Sequence, residues 1–157
     1  MPLNNFGIVR AFSPTALPIY RSAQPDAVAW ETLRALGVGA AIKVDTPSDY
    51  PAGRESAEAG PNIQIAEFPV NQWRPDIPSI RGVVQQIISL SSTTGVLIHC
   101  LHGRDRTGLV VGAYRLIVQG WSLDRVLTER GLYGVVGLIA LADREITEAL
   151  EQIVGSL

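Results

Sequence analysis

The spacing of apolar and polar positions along the chain alternates between helical and extended patterns. Residues 22–36 read as a helix, with Pro25 and Asp26 suited to its first turn and Gly37 to its stop. Residues 38–44 form a short apolar run closed by Asp45 and Pro47, the signature of a buried strand. A polar stretch, 48–61, has room for one short helix. Over 62–70, Ile63, Ile65, Phe68 and Val70 alternate with a single break in step, which predicts a second strand. A Trp- and Pro-rich loop over 71–78 leads into Ile80, Val83, Val84, Ile87 and Ile88, which share one face of a helix. Residues 96–99 behind Gly95 predict a third strand, and 107–118 an apolar helix closed by Gly120. Ser122 is suited to cap a helix reaching Arg130. Leu138, Leu141, Ala142, Ile146, Ala149, Leu150 and Ile153 then line one face of a last helix over 138–154.

Strands separated by helices pack as parallel neighbours, so this order implies an α/β sandwich: a central, mostly parallel sheet flanked by helices. Ligands of such sheets bind beyond the carboxyl ends of the strands. Three loops are thereby singled out, those after Val44, Val70 and His99.

No repeat or linker divides the 157 residues, so a single domain over 1–157 is expected. A formal net charge of −2 leaves no global positive field to gather nucleic acid or an anionic membrane, so anion affinity has to be local. The single cysteine excludes intramolecular disulfides and multi-thiolate metal sites. No basic region followed by an apolar run opens the chain, and no run approaches the ~18 apolar residues of a membrane span. A cytoplasmic location without membrane insertion is the expectation.

The third loop carries chemistry. It reads His99-Cys100-Leu101-His102-Gly103-Arg104-Asp105-Arg106-Thr107-Gly108, between a buried strand and an apolar helix. A strand-to-helix loop can turn successive backbone N–H groups inward, and the helix N-terminus adds a positive dipole end. Gly103 lets the loop curl tightly. Arg106 presents a planar fork that can hold two phosphate oxygens at once. In such surroundings a cysteine is available as thiolate, the nucleophilic form. The stretch is not a Walker loop, because the Gly-Lys-Ser/Thr ending is absent.

Cysteine, five residues, arginine, then threonine, all behind a histidine, resembles the protein tyrosine phosphatase superfamily. Tyr20-Arg21-Ser22-Ala23-Gln24-Pro25, the strand before the cysteine and residues 129–134 resemble its small atypical dual-specificity phosphatases. The resemblance implies a cysteine-phosphatase fold and a metal-free, cofactor-free double displacement. In it Cys100 attacks phosphorus and forms a phosphocysteine, while Arg106 and the loop from Leu101 to Asp105 bind the phosphoryl group. Thr107 would stabilise the departing thiolate in the second step, and His99 would orient the loop. The family draws its general acid from an upstream loop, often Trp-Pro-Asp; here Trp73-Arg74-Pro75-Asp76 makes Asp76 the first candidate. Asp105 is its rival, because the Asp-Arg-Thr ending resembles myotubularin-type and bacterial tyrosine/lipid phosphatases. Asp45 and Asp49 are outside candidates that read more readily as solvated turn residues.

A substrate with many charges is favoured by His102 and Arg104 in the loop, with Arg74 and Arg21 expected at its rim. The resembled group includes inositol pyrophosphate phosphatases, and PTP-like phytases share the cysteine loop. Inositol polyphosphates are therefore the expected substrate class. A phosphotyrosyl or phosphoseryl protein, or a module that binds phosphate without turnover, are the alternatives.

Overall fold

The computed structural model describes residues 3–134 and 140–157. Five strands are present: β1 (Gly7–Arg10), β2 (Ile19–Ser22), β3 (Val38–Lys43), β4 (Gln64–Glu67) and β5 (Gly95–His99). Six helices accompany them: α1 (Ala27–Ala35), α2 (Ala52–Ala59), α3 (Ile77–Leu90), α4 (Asp105–Ile117), α5 (Leu123–Leu132) and α6 (Ala140–Gly155). The sheet order is β1-β2-β5-β3-β4, parallel throughout except for the antiparallel β1–β2 pair. This is the mostly parallel α/β sheet that the sequence pattern implies.

β5 lies at the centre, between β2 and β3, and all five of its residues are buried. A central parallel strand covered on both faces has to be apolar without alternation. Its side chains still alternate in direction. Val96 and Ile98 enter the larger core with Ile80, Val84 and Ile87 of α3, Leu109 and Val110 of α4, and Ile146 and Leu150 of α6. Leu97 enters a smaller core on the opposite face with Trp30 and Leu33 of α1 and Ala59 of α2. The same alternation carries His99 to the α1/α2 side and Cys100 to the α4 side. Strand period thus separates the two residues at the edge of the site.

The structure corrects the reading of the first third of the chain. Residues 22–26 are not helical: Ser22 ends β2 in register with His99, and α1 begins after Asp26, whose side chain accepts from Ala29 N at 2.8 Å. β1 and β2 have no counterpart in the sequence reading. All four residues of β2 are buried, and one is an arginine, so neither alternation nor an apolar run marks it. The strand expected over 62–70 is confined to Gln64–Glu67, and α3 starts one turn earlier than its apolar face suggested. Leu138 lies outside the described residues. No described helix is long and apolar enough to cross a membrane.

Candidate active site

Between β5 and α4 the chain makes a turn that only glycine can complete. Gly103 has φ +68°, and a Cβ there would lie 2.5 Å from both Ser22 C and Ala23 N. The turn is therefore pressed against the backbone at the end of β2. Cys100, 2% exposed, sits beneath it, and the Gly103 N–H points at Cys100 Sγ, 3.3 Å away.

Three consecutive carbonyls of the loop are held from outside. Gln24 N–H donates to Leu101 O (3.1 Å), Asn5 Nδ2 to His102 O (2.8 Å), and Arg21 Nη2 to Gly103 O (3.1 Å). A trans peptide points its N–H opposite to its C=O. Holding these carbonyls outward turns the N–H groups of His102, Gly103 and Arg104 toward the interior of the loop. The N-terminal segment thus shapes an inward-facing set of amides, to which the uncapped N-terminus of α4 adds its dipole.

Arg21, expected at the rim, is instead buried. Besides Gly103 O, its guanidinium meets the Tyr133 ring at 3.6 Å and Glu129 Oε1 at 3.7 Å. Burial lowers its pKa to about 10, against the opposing pull of Tyr133 and Glu129, so it stays charged at neutral pH. Glu129 continues to Arg115 Nη2 (2.8 Å), which reaches back to the Val9 and Ile8 carbonyls. Arg21→Met is expected to destabilise the protein by about 2–3 kcal/mol. That is below the ~3–5 of a fully buried broken pair, because Glu129 keeps Arg115. Thermal unfolding should show a loss of roughly 5–10 °C, and an unchanged melting temperature would refute a stabilising role for the Arg21 contacts.

Arg106, in the first turn of α4, faces a cavity of about 420 Å³. Thr46 and Asp49, after β3, form one wall, and Val70, Asn71 and Trp73, after β4, form another. All three loops singled out by the strand-end rule therefore meet here. Arg106 Nη1 donates to Asp49 Oδ2 at 2.5 Å. Asp49 is thus no solvated turn residue. Asp45 is fully buried and paired with Lys43, whose ammonium burial holds below the ordinary lysine range.

The other sequence candidates are dispersed. Thr107 is buried, and its Oγ1 has no hydrogen-bond partner among the described residues. His99 cannot meet a substrate: it is fully buried, with Nε2 2.6 Å from Glu55 Oε1 and its ring edge-on to Trp30. The His99 side chain instead lies against Glu55 of α2. Leu101, His102 and Arg104 line a second, separate cavity of about 320 Å³ with Asn4 and Gln24. Arg74 is exposed and is not among the residues around Arg106. Asp105 turns to Arg130 Nη2, 3.9 Å away, which also holds Asp143 of α6 at 2.7 Å.

Asp76 is the N-cap of α3. Its Oδ2 accepts from Ser79 N at 2.9 Å and Ser79 Oγ at 2.5 Å, outside the cavity. The Ser79 hydroxyl and N–H hold its pKa below the ordinary carboxylate value.

The same fold occurs in known proteins. The family model described as "Tyrosine phosphatase family" matches residues 5–149. The dual specificity protein phosphatase TpbA of Pseudomonas aeruginosa is 33% identical over 124 residues, covering 78% of this chain and 53% of that protein. Inositol diphosphatase DSP4 of Arabidopsis thaliana is 33% identical over 117 residues, covering 71% and 57%. The chain therefore spans little more than half the length of either relative. A crystal structure of a Cys-to-Ser variant of P. aeruginosa TpbA in complex with pTyr superposes with a TM-score of 0.70. It is 25% identical, and the match covers 94% of this chain and 96% of that one. With the match extending from the N-terminal segment that holds the loop to the helix packed behind α4, the chain belongs to the tyrosine phosphatase family.

Proposed function

We propose that the chain is a cysteine-dependent phosphomonoesterase that acts through a phosphocysteine, with inositol polyphosphates or similarly charged small molecules as substrates. The carrying observation is the loop itself. Cys100 lies under amides turned inward by three outward-held carbonyls, and Arg106, six residues on in the first turn of α4, lines the cavity. A phosphoryl group entering there meets N–H donors and a guanidinium fork at the positions of its equatorial oxygens. The Cys100 thiolate then attacks phosphorus as the bond to the ester oxygen breaks, and water hydrolyses the phosphocysteine in a second displacement. Thr107 Oγ1, free of other partners among the described residues, is available to donate to the departing thiolate.

Substrate class rests on charge around the loop. His102 and Arg104 flank it on a second cavity whose surface is mostly polar, suited to further phosphate groups of one molecule. The relative named as an inositol diphosphatase supports the same reading. A phosphotyrosyl protein is the second reading, favoured by Trp73, an aromatic wall of the main cavity that is 48% exposed, and by the pTyr complex of the related structure. Phosphate release from inositol hexakisphosphate should exceed release from a phosphotyrosyl peptide at equal concentration. The reverse order would sink the small-molecule assignment. Inactivity on both, with inorganic phosphate still raising the melting temperature, would mark a phosphate-binding module.

A further inference from the structure

Asp105 opens α4, one residue before the guanidinium that faces the cavity. A carboxylate in the first turn of a helix takes up the positive end of its dipole. The phosphatase reading places a phosphoryl group at that same end, so an uncompensated Asp105 would compete with the substrate and repel it. A cation is directed at this carboxylate. Arg130, in the last turn of α5, is 6% exposed, and its Nη2 lies 3.9 Å from Asp105 Oδ1. The Asp105 side chain is itself only 11% exposed.

Both neighbouring helices prepare the path of Arg130. A Cβ at Gly108 of α4 would lie 3.1 Å from Arg130 Cγ and 3.5 Å from its Nε, so the missing side chain lets the arginine lie across the start of α4. From α6, Asp143 Oδ1 lies 2.7 Å from the same Nη2 and fixes the end of the guanidinium beside α4. Among the described residues, no other cation is paired with Asp105.

Resting on the phosphatase reading above, we infer that Arg130 is a positioning residue for the anion site. It neutralises Asp105, so that the N-terminus of α4 and Arg106 are left to the phosphoryl group. It touches no reacting atom and acts through Asp105. The planar fork of an arginine suits this place, because one guanidinium serves two carboxylates from two helices. Without Arg130, a largely buried carboxylate stands beside the bound anion with no cation of its own. Repulsion of that kind in partly buried surroundings is worth about tenfold or more in binding. The effect falls on affinity and KM, since the ground state and the transition state both carry the phosphoryl charge.

Binding of inorganic phosphate, followed by calorimetry and by the rise in melting temperature, tests this in Arg130→Met, Asp105→Asn and the double variant. Arg130→Met is expected to bind phosphate about tenfold more weakly and to raise KM for p-nitrophenyl phosphate by a similar factor, with kcat far less affected. In the double variant, phosphate affinity should return to that of Asp105→Asn alone, because the charge that Arg130 compensates is gone. A loss due to packing would persist there. Arg130→Lys keeps the charge and should retain most of the affinity; it decides the matter if the methionine variant does not fold. Full affinity in Arg130→Met, a loss that persists in the double variant, or a lysine variant that binds tenfold more weakly than wild type would overturn the assignment. Failure of the wild-type protein to bind phosphate would instead overturn the phosphatase reading, and the assignment with it.

Discussion

Cys100→Ser is expected to reduce turnover of p-nitrophenyl phosphate by about 10⁶-fold, the scale seen when a covalent nucleophile is removed, while binding of inorganic phosphate survives. A serine hydroxyl fits where the thiol sits, so the loop keeps its shape, but it stays un-ionised and supplies no comparable nucleophile. The groups that hold the anion are untouched, because they are loop amides and Arg106 rather than the sulfur. Two measurements check this: the rate of nitrophenolate release and the rise of melting temperature with phosphate. Residual turnover above the solution rate would remove Cys100 as nucleophile. Loss of the phosphate-induced stabilisation would show that the loop does not bind through its backbone.

Gly103→Ala should be nearly as damaging, for a different reason. The residue combines a left-handed φ of +68° with backbone atoms of Ser22 and Ala23 where a Cβ would go. Backbone cannot swing aside as a side-chain tip can, so the loop has to lift away from β2. Strain and overpacking together are expected to cost about 2–4 kcal/mol, or roughly 5–15 °C of melting temperature in a chain of this length. Lifting the loop stretches the bonds to Leu101, His102 and Gly103 carbonyls and misaims the amides. A misplacement of about 1 Å is worth on the order of 10²-fold in kcat. Gly37→Ala separates the two causes. Gly37 has φ +84° but nothing within 4 Å of its missing Cβ, so that variant should lose some stability and keep kcat. Equal kcat in Gly103→Ala and wild type would refute the loop-on-strand contact.

The strand–turn–helix around Cys100 was legible in sequence because its determinants are local. Gly95, the apolar run after it, Cys100, Gly103 and Arg106 fall within twelve consecutive residues, and strand, turn and helix signals there agree with one another. The helical face of α3 and the cap at Ser122 were legible on the same ground. The pairing of Asp49 with Arg106 was not, because nothing beside either residue in the sequence announces the other. Asp76 satisfies the cap rule through Ser79, only three residues away. Asp49 finds Arg106 across 57 residues.

What the sequence by itself determined is the kind of layer each segment joins and the residues at the turn from β5 into α4. Backbone dihedrals and the period of apolar positions depend on near neighbours alone. Tertiary structure decided how that turn is held and what faces it. Asn5 reaches His102 O across 97 residues and Arg21 reaches Gly103 O across 82, from a strand whose buried arginine broke every pattern that could have announced it. These partners meet because β2 docks on one side of β5 and β3 on the other. That order is set by burying both faces of the central strand, a property of the whole sheet that no short segment encodes.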